Sequence, residues 1–278
     1  MADLRYSVLA LDLDGTLTNA KKEITPAVKW AIQKAVNKGV AIVLASGRPI
    51  PGMAHVADEL GLDKIGGYVL SNNGSKIVEW KSKKVIFEKT LPRQAVEESC
   101  FAAHKFGVTA LVYDEKELYS EDPLARYVEQ ERYNNSAIAN KVENLESAIT
   151  WAPNKMMVVG EPEKLTPALD FLQQRLDGIA SVFLSEPYFI EIAPEGIKKD
   201  AALGVLVQTL GTSLDQLMAC GDGYNDIPML ECAGFAVAMD NAYLETKEHA
   251  DWIAPSNEED GVAVAIKKFI LDEEDTCY

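Results

Sequence analysis

Two short acidic segments carry the side chains whose spacing indicates chemistry. The segment LALDLDGTL places Asp12 and Asp14 directly after an apolar run, and the segment GDGYND supplies Asp222 and Asp226 after the apolar run LMAC. In doubly wound parallel sheets, ligands bind outside the carboxyl ends of the strands. If the strands are neighbours, both acidic segments meet in one crevice with Ser46, which follows the apolar run VAIVLA.

Four carboxylates in one crevice predict a metal ion. As bare anions they would repel one another, and protons would be driven onto some of them. Mg²⁺ prefers oxygen ligands, keeps several waters and is typically held by one or two carboxylates together with a substrate phosphate. The acids therefore predict a magnesium site, and the metal predicts a phosphate-bearing ligand.

The segments around these residues alternate between strand-like and helix-like patterns. In TPAVKWAIQKAVNKG the apolar residues recur at helical spacing, Thr25 is a candidate N-cap with Pro26 at the first helical position, and Gly39 ends the helix. The last part of the chain repeats short apolar runs between helical segments. This alternation of strand-like and helix-like segments predicts an α/β fold with a doubly wound parallel sheet.

The middle of the chain has a different pattern of apolar and polar residues. Alternating stretches such as TALVYDEKELYSE are interspersed with amphipathic helical patterns such as RQAVEESCFAAHKFG. We therefore predict an inserted α+β cap domain over residues 83–190, with the core formed by residues 1–82 and 191–278.

Composition excludes several classes of protein. The formal net charge of -16 disfavours nucleic acid as a partner, because such binding depends on Lys and Arg neutralising phosphates. The N-terminal segment is too charged for a signal peptide and no run is long enough for a membrane span, so we expect a cytoplasmic protein. The four cysteines, Cys277 among them, have no CxxC spacing and should stay reduced.

Four motifs in chain order resemble those of the haloacid dehalogenase superfamily of phosphohydrolases. They are DLDGTL, SGR, a lysine in GIKKD, and GDGYND. The long insertion between the second and third motifs, with SNNG before it and EIAPEGIKK after it, resembles the Cof-type branch, whose large α/β cap is of type IIB. The resemblance covers essentially the whole chain and implies a Mg²⁺-dependent phosphatase.

The resemblance also implies roles for individual residues. Asp12 would be the nucleophile that forms an aspartyl-phosphate, and Asp14 the general acid and then the general base. Ser46 would bond a phosphoryl oxygen, and Lys199 would pair with Asp12 and the phosphate. Lys198 is the alternative lysine.

The metal would be held by the carboxylates of Asp12 and Asp222 and the backbone carbonyl of Asp14, with Asp226 holding metal-bound water. Backbone amides near Gly15, which frees the turn, could cradle the anion. Asn225 is a candidate for orienting Lys199 or the phosphate.

Asp200 and the SNNG segment, which lie near these motifs, are interpreted as features of local backbone structure. Asp200, which stands where the family usually has glycine, is a candidate helix N-cap. The SNNG segment is interpreted as a turn, although its residues follow another strand and could line the crevice.

The leading hypothesis is hydrolysis of small-molecule phosphomonoesters, such as sugar phosphates or similar metabolites, under a cap that selects the leaving group. A phosphomutase would use the same aspartyl-phosphate but return the phosphoryl group to the sugar. A signalling or binding module would keep a stable phospho-aspartate without turnover. The sequence does not indicate which metabolite is bound, which cap residues select it, or the oligomeric state.

Overall fold

The computed structural model describes residues 4–273, and its elements fall into two compact units. One unit contains the chain up to Gly47, His55–Phe87 and the chain from Lys198 onward, and the other contains Arg48–Ala54 and Glu88–Ile197. The strands in chain order are β1 Val8–Leu11, β2 Ala41–Ala45, β3 Tyr68–Ser71, β4 Lys76–Glu79, β5 Lys84–Glu88, β6 Thr109–Tyr113, β7 Glu117–Ser120, β8 Ile138–Lys141, β9 Met156–Val159, β10 Ala180–Glu186, β11 Phe189–Pro194, β12 Leu217–Gly221, β13 Phe235–Met239 and β14 Trp252–Ala254. The helices are α1 Pro26–Lys38, α2 Ile50–Glu59, α3 Leu62–Ile65, α4 Arg93–Phe106, α5 Arg126–Asn134, α6 Leu145–Ala148, α7 Pro162–Arg175, α8 Lys199–Thr209, α9 Ile227–Cys232, α10 Leu244–Lys247 and α11 Gly261–Phe269.

The first unit is built on an eight-stranded sheet in the order β14-β13-β12-β1-β2-β3-β4-β5. From β14 to β3 every neighbouring pair is parallel, and β4 runs antiparallel to β3. The central strands are buried along their length because helices cover both faces of a parallel sheet. The predicted α/β class with a parallel core is confirmed, and β1 lies between β2 and β12.

Helix α1 shows how local sequence sets the ends of these elements. The Thr25 side chain accepts a hydrogen bond from the Val28 amide, Pro26 occupies the first turn, and Gly39 closes the helix with a left-handed backbone. The buried face carries Ala31 and Ile32 among others, as the helical spacing of the apolar residues predicts.

The second unit is a separate six-stranded sheet in the order β10-β11-β9-β6-β7-β8. Its neighbouring pairs are antiparallel except β7 and β8, which are parallel. Helices α4 and α7 contribute Ala95, Val96, Leu165 and Leu172 to an apolar cluster with strand residues such as Val158. The unit is an α+β layer arrangement.

Two of the transitions between the units, from Phe87 to Glu88 and from Ile197 to Lys198, lie later in the chain than the predicted 83 and 191. Residues Lys84–Glu88 form β5 at the edge of the first sheet, whereas Phe189–Pro194 form β11 inside the second. Strand pairing, which the local pattern does not encode, decides the membership of both segments.

Three smaller expectations can be compared with the described residues. Asp200 is not the N-cap of α8, because the helix begins at Lys199 and Lys198 occupies the cap position. Cys100, Cys220 and Cys232 are free thiols, and Cys277 lies outside the described residues. Within residues 4–273, none of the helices combines the length and apolar character needed to cross a lipid bilayer.

Candidate active site

The carboxyl ends of β1, β2 and β12 lie side by side at one edge of the first sheet. Leu11 is in register with Leu44 on one side and with Cys220 on the other. The residues that follow these three strands, Asp12 and Ser46 among them, therefore emerge at the same level. The amide of Asp12 donates to the carbonyl of Cys220 at 3.0 Å, which fixes the first acid at the strand end.

Lys199 lies at the centre of the site. Its ammonium nitrogen is 2.7 Å from Asp12 Oδ1, 2.5 Å from Asp226 Oδ1 and 2.9 Å from the carbonyl oxygen of Ala45. An ammonium has three N–H donors, so these contacts use all of them. The side chain is 1% exposed, whereas Lys198 is exposed at the helix N-terminus, so Lys199 is the lysine beside Asp12.

Asp226 connects Lys199 to the loop that carries Asp222. Its second carboxylate oxygen accepts from the amides of Asp222 at 3.0 Å and Gly223 at 2.9 Å. The side chain is fully buried, and both of its oxygens accept hydrogen bonds. The role of Asp226 in holding metal-bound water stays a prediction. The contact with Lys199 was not anticipated.

Asp222 is held by the turn that follows β1. The Thr16 hydroxyl donates to Asp222 Oδ1 at 2.7 Å. Gly15 has a φ of 85°, and a Cβ there would lie 2.4 Å from Asp222 Oδ2, so a side chain would displace the carboxylate. The glycine thus serves both the turn and the close approach of the two acidic segments.

Carboxylate oxygens from Asp12, Asp222 and Asp226 lie within 4.8 Å of one another. Burial and the charge of Asp226 raise the pKa of Asp12 well above its usual range, with Lys199 acting in the opposite direction. Burial raises the pKa of Asp222 to about 6, although the Thr16 hydrogen bond opposes the shift. Three acids face one lysine, so the cluster has excess negative charge.

This donor set fits a hard divalent cation such as Mg²⁺. Asp12 and Asp222 are better placed as direct ligands than Asp226, because both oxygens of Asp226 already accept hydrogen bonds. For Lys199, burial would lower the pKa, but the adjacent carboxylates of Asp12 and Asp226 outweigh burial and raise it. Lys199 therefore stays a cation within the cluster.

Asp14 is more accessible than Asp12 and has a partner that sequence analysis missed. The ammonium of Lys22 is 2.5 Å from Asp14 Oδ1, and the two side chains are 57% and 35% exposed. Lys22 lies in the turn after the first motif, and its φ is 63°. The pair places the predicted acid–base residue at the solvent-accessible side of the site.

Ser46 is 4% exposed at the end of β2, and its amide donates to the Leu70 carbonyl at 2.9 Å. Asn225 lies at the surface, and its side-chain amide donates to Asn73 Oδ1 at 3.1 Å rather than to Lys199. The structure thus brings Asp12, Lys199 and Asp226 into direct contact, while Asn225 contacts a different loop.

The hydroxyl of Thr16 and the side chain of Asn241 were not predicted as site groups, whereas Asn73 belongs to the SNNG segment that was expected as a possible lining of the crevice. Asn241 donates to the Gly15 carbonyl at 2.7 Å. It follows β13, so the rule that ligands and site residues follow parallel strands could have found it. No local pattern signals the side chain of Lys22.

Comparison with known proteins gives the class. The model of the family of haloacid dehalogenase-like hydrolases matches residues 9–266. The 5-amino-6-(5-phospho-D-ribitylamino)uracil phosphatase YcsE of Bacillus subtilis is 30% identical, over 97% of this chain and 98% of its own. A haloacid dehalogenase-like hydrolase from Bacteroides thetaiotaomicron superposes with a TM-score of 0.92 at 40% identity, covering 95% of this chain and 99% of that one.

A third similarity concerns the fold. The solved subclass IIB sugar phosphatase BT4131 has a TM-score of 0.78 at 24% identity and covers 95% of this chain and 98% of that one. The chain belongs to the family of haloacid dehalogenase-like hydrolases. It is a phosphatase, a hydrolase of phosphomonoesters, as the family resemblance of its motifs implies.

Proposed function

We propose that the protein is a Mg²⁺-dependent phosphatase that hydrolyses phosphomonoesters of small metabolites through an aspartyl-phosphate on Asp12. The observation that carries this proposal is the cluster of Asp12, Asp222 and Asp226 around Lys199, with carboxylate oxygens within 4.8 Å of one another. Its excess of negative charge favours a cation, and a cation in this place favours a phosphate.

In the first step, a carboxylate oxygen of Asp12 attacks phosphorus, the new O–P bond forms and the bond to the leaving oxygen breaks. The 2.7 Å contact with Lys199 orients Asp12 for this attack. Because the three N–H donors of Lys199 are already used, it acts on the phosphoryl group mainly as a fixed positive charge. The Ser46 hydroxyl donates to a phosphoryl oxygen.

Asp14 serves both steps by moving one proton. It gives the proton to the leaving oxygen in the first step and takes a proton from the attacking water in the second. That water forms a bond to phosphorus as the Asp12–phosphorus bond breaks, which releases inorganic phosphate and restores the carboxylate. The 35% exposure of the Asp14 side chain is compatible with access for both the leaving group and the water.

Mg²⁺, when bound by Asp12 and Asp222 together with the backbone carbonyl of Asp14, would neutralise charge on the transferring group. Asp226 would hold the surrounding water, and its bonds to the amides of Asp222 and Gly223 keep that loop in place. Gly15 keeps the first turn close to Asp222.

The substrate class proposed is a phosphorylated small metabolite, such as a sugar phosphate. The name of the Bacillus subtilis relative gives a phosphorylated ribitylamino-uracil as the substrate of that protein, which is a compound of this size and polarity. The net charge of -16 disfavours nucleic acid as a substrate, and a cytoplasmic location is proposed on the sequence grounds given above.

A screen of phosphorylated metabolites with Mg²⁺ tests this proposal. We expect release of inorganic phosphate in molar equivalence with the dephosphorylated product. An isomeric sugar phosphate as the product would indicate a phosphomutase. A stable phosphoprotein without turnover would indicate a signalling or binding module.

A further inference from the structure

The turn Asn72–Gly74 after β3 has an unusual backbone. Asn72, Asn73 and Gly74 have φ values of 50°, 55° and 105°, so three successive residues occupy the left-handed region. Asparagine and glycine tolerate this conformation better than other residues. A run of three such residues is costly, and it persists only where surrounding contacts determine it.

The contacts of Asn73 link two parts of the candidate active site. Its backbone amide donates to the carbonyl of Ser46 at 3.0 Å. Its side-chain Oδ1 accepts from the Asn225 amide at 3.1 Å. A Cβ on Gly47 would lie 3.1 Å from the Asn73 side chain, so the amide lies against the Ser46–Gly47 backbone.

The order of the strands makes the Asn73–Asn225 contact informative. Asn73 follows β3 and Asn225 follows β12, and β2 and β1 lie between these strands. Three strand spacings correspond to about 14 Å at the level of the sheet. The side-chain contact therefore bridges the ends of the two strands that carry Ser46 and Asp12.

Gly74 adds a second link from the same turn. A Cβ on Gly74 would lie 2.7 Å from the carbonyl oxygen of Lys198, so the turn lies directly against the start of α8. Helix α8 begins with Lys199. The turn Asn72–Gly74, which lies outside the four sequence motifs, thus contacts the backbone at Ser46, the Asn225 side chain and the Lys198 carbonyl. Asn225 directly precedes Asp226, and Lys198 directly precedes Lys199.

We propose that Asn73 is a positioning residue for phosphoryl transfer, which holds Asn225 across the strand ends and fixes the backbone at Ser46. This inference rests on the proposed phosphatase mechanism. Asn73 acts through Asn225 and Ser46, so its removal should reduce the affinity for a phosphoryl group without removing any group that reacts.

The test compares Asn73→Gly with Asn72→Gly. Both substitutions keep a left-handed backbone, and both add the same kind of freedom to the unfolded chain. Asn72 Oδ1 is buried without a hydrogen-bond partner, so Asn72→Gly is a matched control that does not remove the Asn225 contact. We expect Asn73→Gly to lower kcat/KM and the affinity for orthovanadate about five- to tenfold, the effect of one neutral hydrogen bond.

A double-mutant cycle with Asn225→Ala separates positioning from general loosening of the turn. If the bond carries the effect, Asn73→Gly causes no further loss of kcat/KM in the Asn225→Ala background. Asn73→Asp keeps an oxygen that accepts from Asn225, so Asn225→Ala should still lower kcat/KM in that variant. This second arm keeps the test valid if the glycine variant folds poorly.

Equal kcat/KM for Asn73→Gly and Asn72→Gly would overturn the inference, as would losses that multiply in the double variant. Both outcomes require a wild-type protein that releases phosphate. Absence of phosphatase activity in the wild type would instead overturn the proposed function, so the two failures are distinguishable.

Discussion

Each unit of the molecule buries a cluster of charged side chains, and the two clusters differ in their balance of charge. In the first unit, three acids, Asp12, Asp222 and Asp226, surround one lysine. In the second unit, two buried acids, Glu131 and Glu191, are accompanied by two bases, the buried Lys155 and the half-buried Arg48. Lys155 and Glu191 form an ion pair at 3.5 Å. Burial raises the pKa of Glu131, and the charges of Lys155 and Arg48 act in the opposite direction.

The second cluster is also satisfied locally. The Asn135 amide donates to Glu131 Oε1 at 2.8 Å, and the Tyr113 hydroxyl donates to the same oxygen at 3.3 Å. Arg48 donates to the carbonyl of Asn134 at 2.8 Å. These contacts compensate the buried charges from within the unit, whereas the first cluster has two acids more than bases. We infer that the imbalance, rather than burial, marks the phosphoryl-transfer site.

Asp12→Asn should have the largest effect, because an amide cannot act as the nucleophile. We expect kcat to fall by about 10⁴-fold or more. Glu131→Gln makes the same carboxyl-to-amide change in the balanced cluster and should leave kcat within about threefold of the wild type, a change too small for loss of a reacting group. Steady-state kinetics on one metabolite checks both variants, and comparable losses of kcat would erase the distinction between the clusters.

Removal of divalent metal by EDTA should reduce turnover to the background rate, and added Mg²⁺ should restore it. Mg²⁺ should also stabilise the folded protein, by about 2.7 kcal/mol at a hundredfold excess over its Kd. Thermal unfolding of the wild type and of Asp222→Asn with and without Mg²⁺ checks this. A Mg²⁺-induced rise in Tm of equal size in the variant would show that the ion binds elsewhere.

Lys199→Met and Lys155→Met remove a buried ammonium from each cluster. Each variant leaves buried carboxylates uncompensated, and we expect a loss of about 3–5 kcal/mol in the free energy of unfolding. Mg²⁺ should recover part of that loss in Lys199→Met, because the cation supplies charge to the same acids. Chemical denaturation with and without Mg²⁺ measures the difference, and equal recovery in Lys155→Met would contradict the account.

The smallest expected effect is the change in the free energy of unfolding with pH that the titration of Glu131 causes. Burial raises the pKa of Glu131 from its ordinary 4.5, with Lys155 acting in the opposite direction. Below pH 4.5 the carboxyl is protonated in both the folded and unfolded chain. As pH rises above 4.5 the unfolded chain loses this proton first, so the carboxyl disfavours folding increasingly until the folded-state pKa is passed.

Glu131→Gln removes that titration. The free energy of unfolding of the variant, relative to the wild type, should therefore increase as the pH rises above 4.5 and level off once the folded-state pKa is passed. Denaturant unfolding at several pH values measures this. A difference that stays constant or falls as the pH rises above 4.5 would mean that the folded-state pKa of Glu131 is not raised.

Much of the fold followed from local sequence. The apolar runs, the cap at Thr25 and the strand-end rule predicted the parallel core and brought Asp12, Ser46 and Asp222 to one edge of it. The resemblance of the motifs to the family then identified Lys199. These features depend on residues close together in the chain or on motifs with a fixed place in the fold.

The rest depends on contacts between distant segments. The bonds of Asp226 to Lys199 and of Asn73 to Asn225 join residues from different motifs, and no periodicity encodes them. The Asp14–Lys22 pair depends on the conformation of a turn. The membership of β5 in the first sheet and of β11 in the second depends on strand pairing between distant segments, which composition does not encode.

Locating the phosphoryl group on the protein tests the proposed aspartyl-phosphate on Asp12 directly. Asp14→Asn removes the base for the second step. Mixing this variant with Mg²⁺ and a metabolite that the wild type hydrolyses, followed by rapid quenching in acid, should therefore trap the intermediate. We expect one added phosphoryl group on the peptide that contains Asp12, and none when EDTA replaces Mg²⁺. A phosphoryl group on another residue, or undiminished turnover by Asp12→Asn, would contradict this proposal.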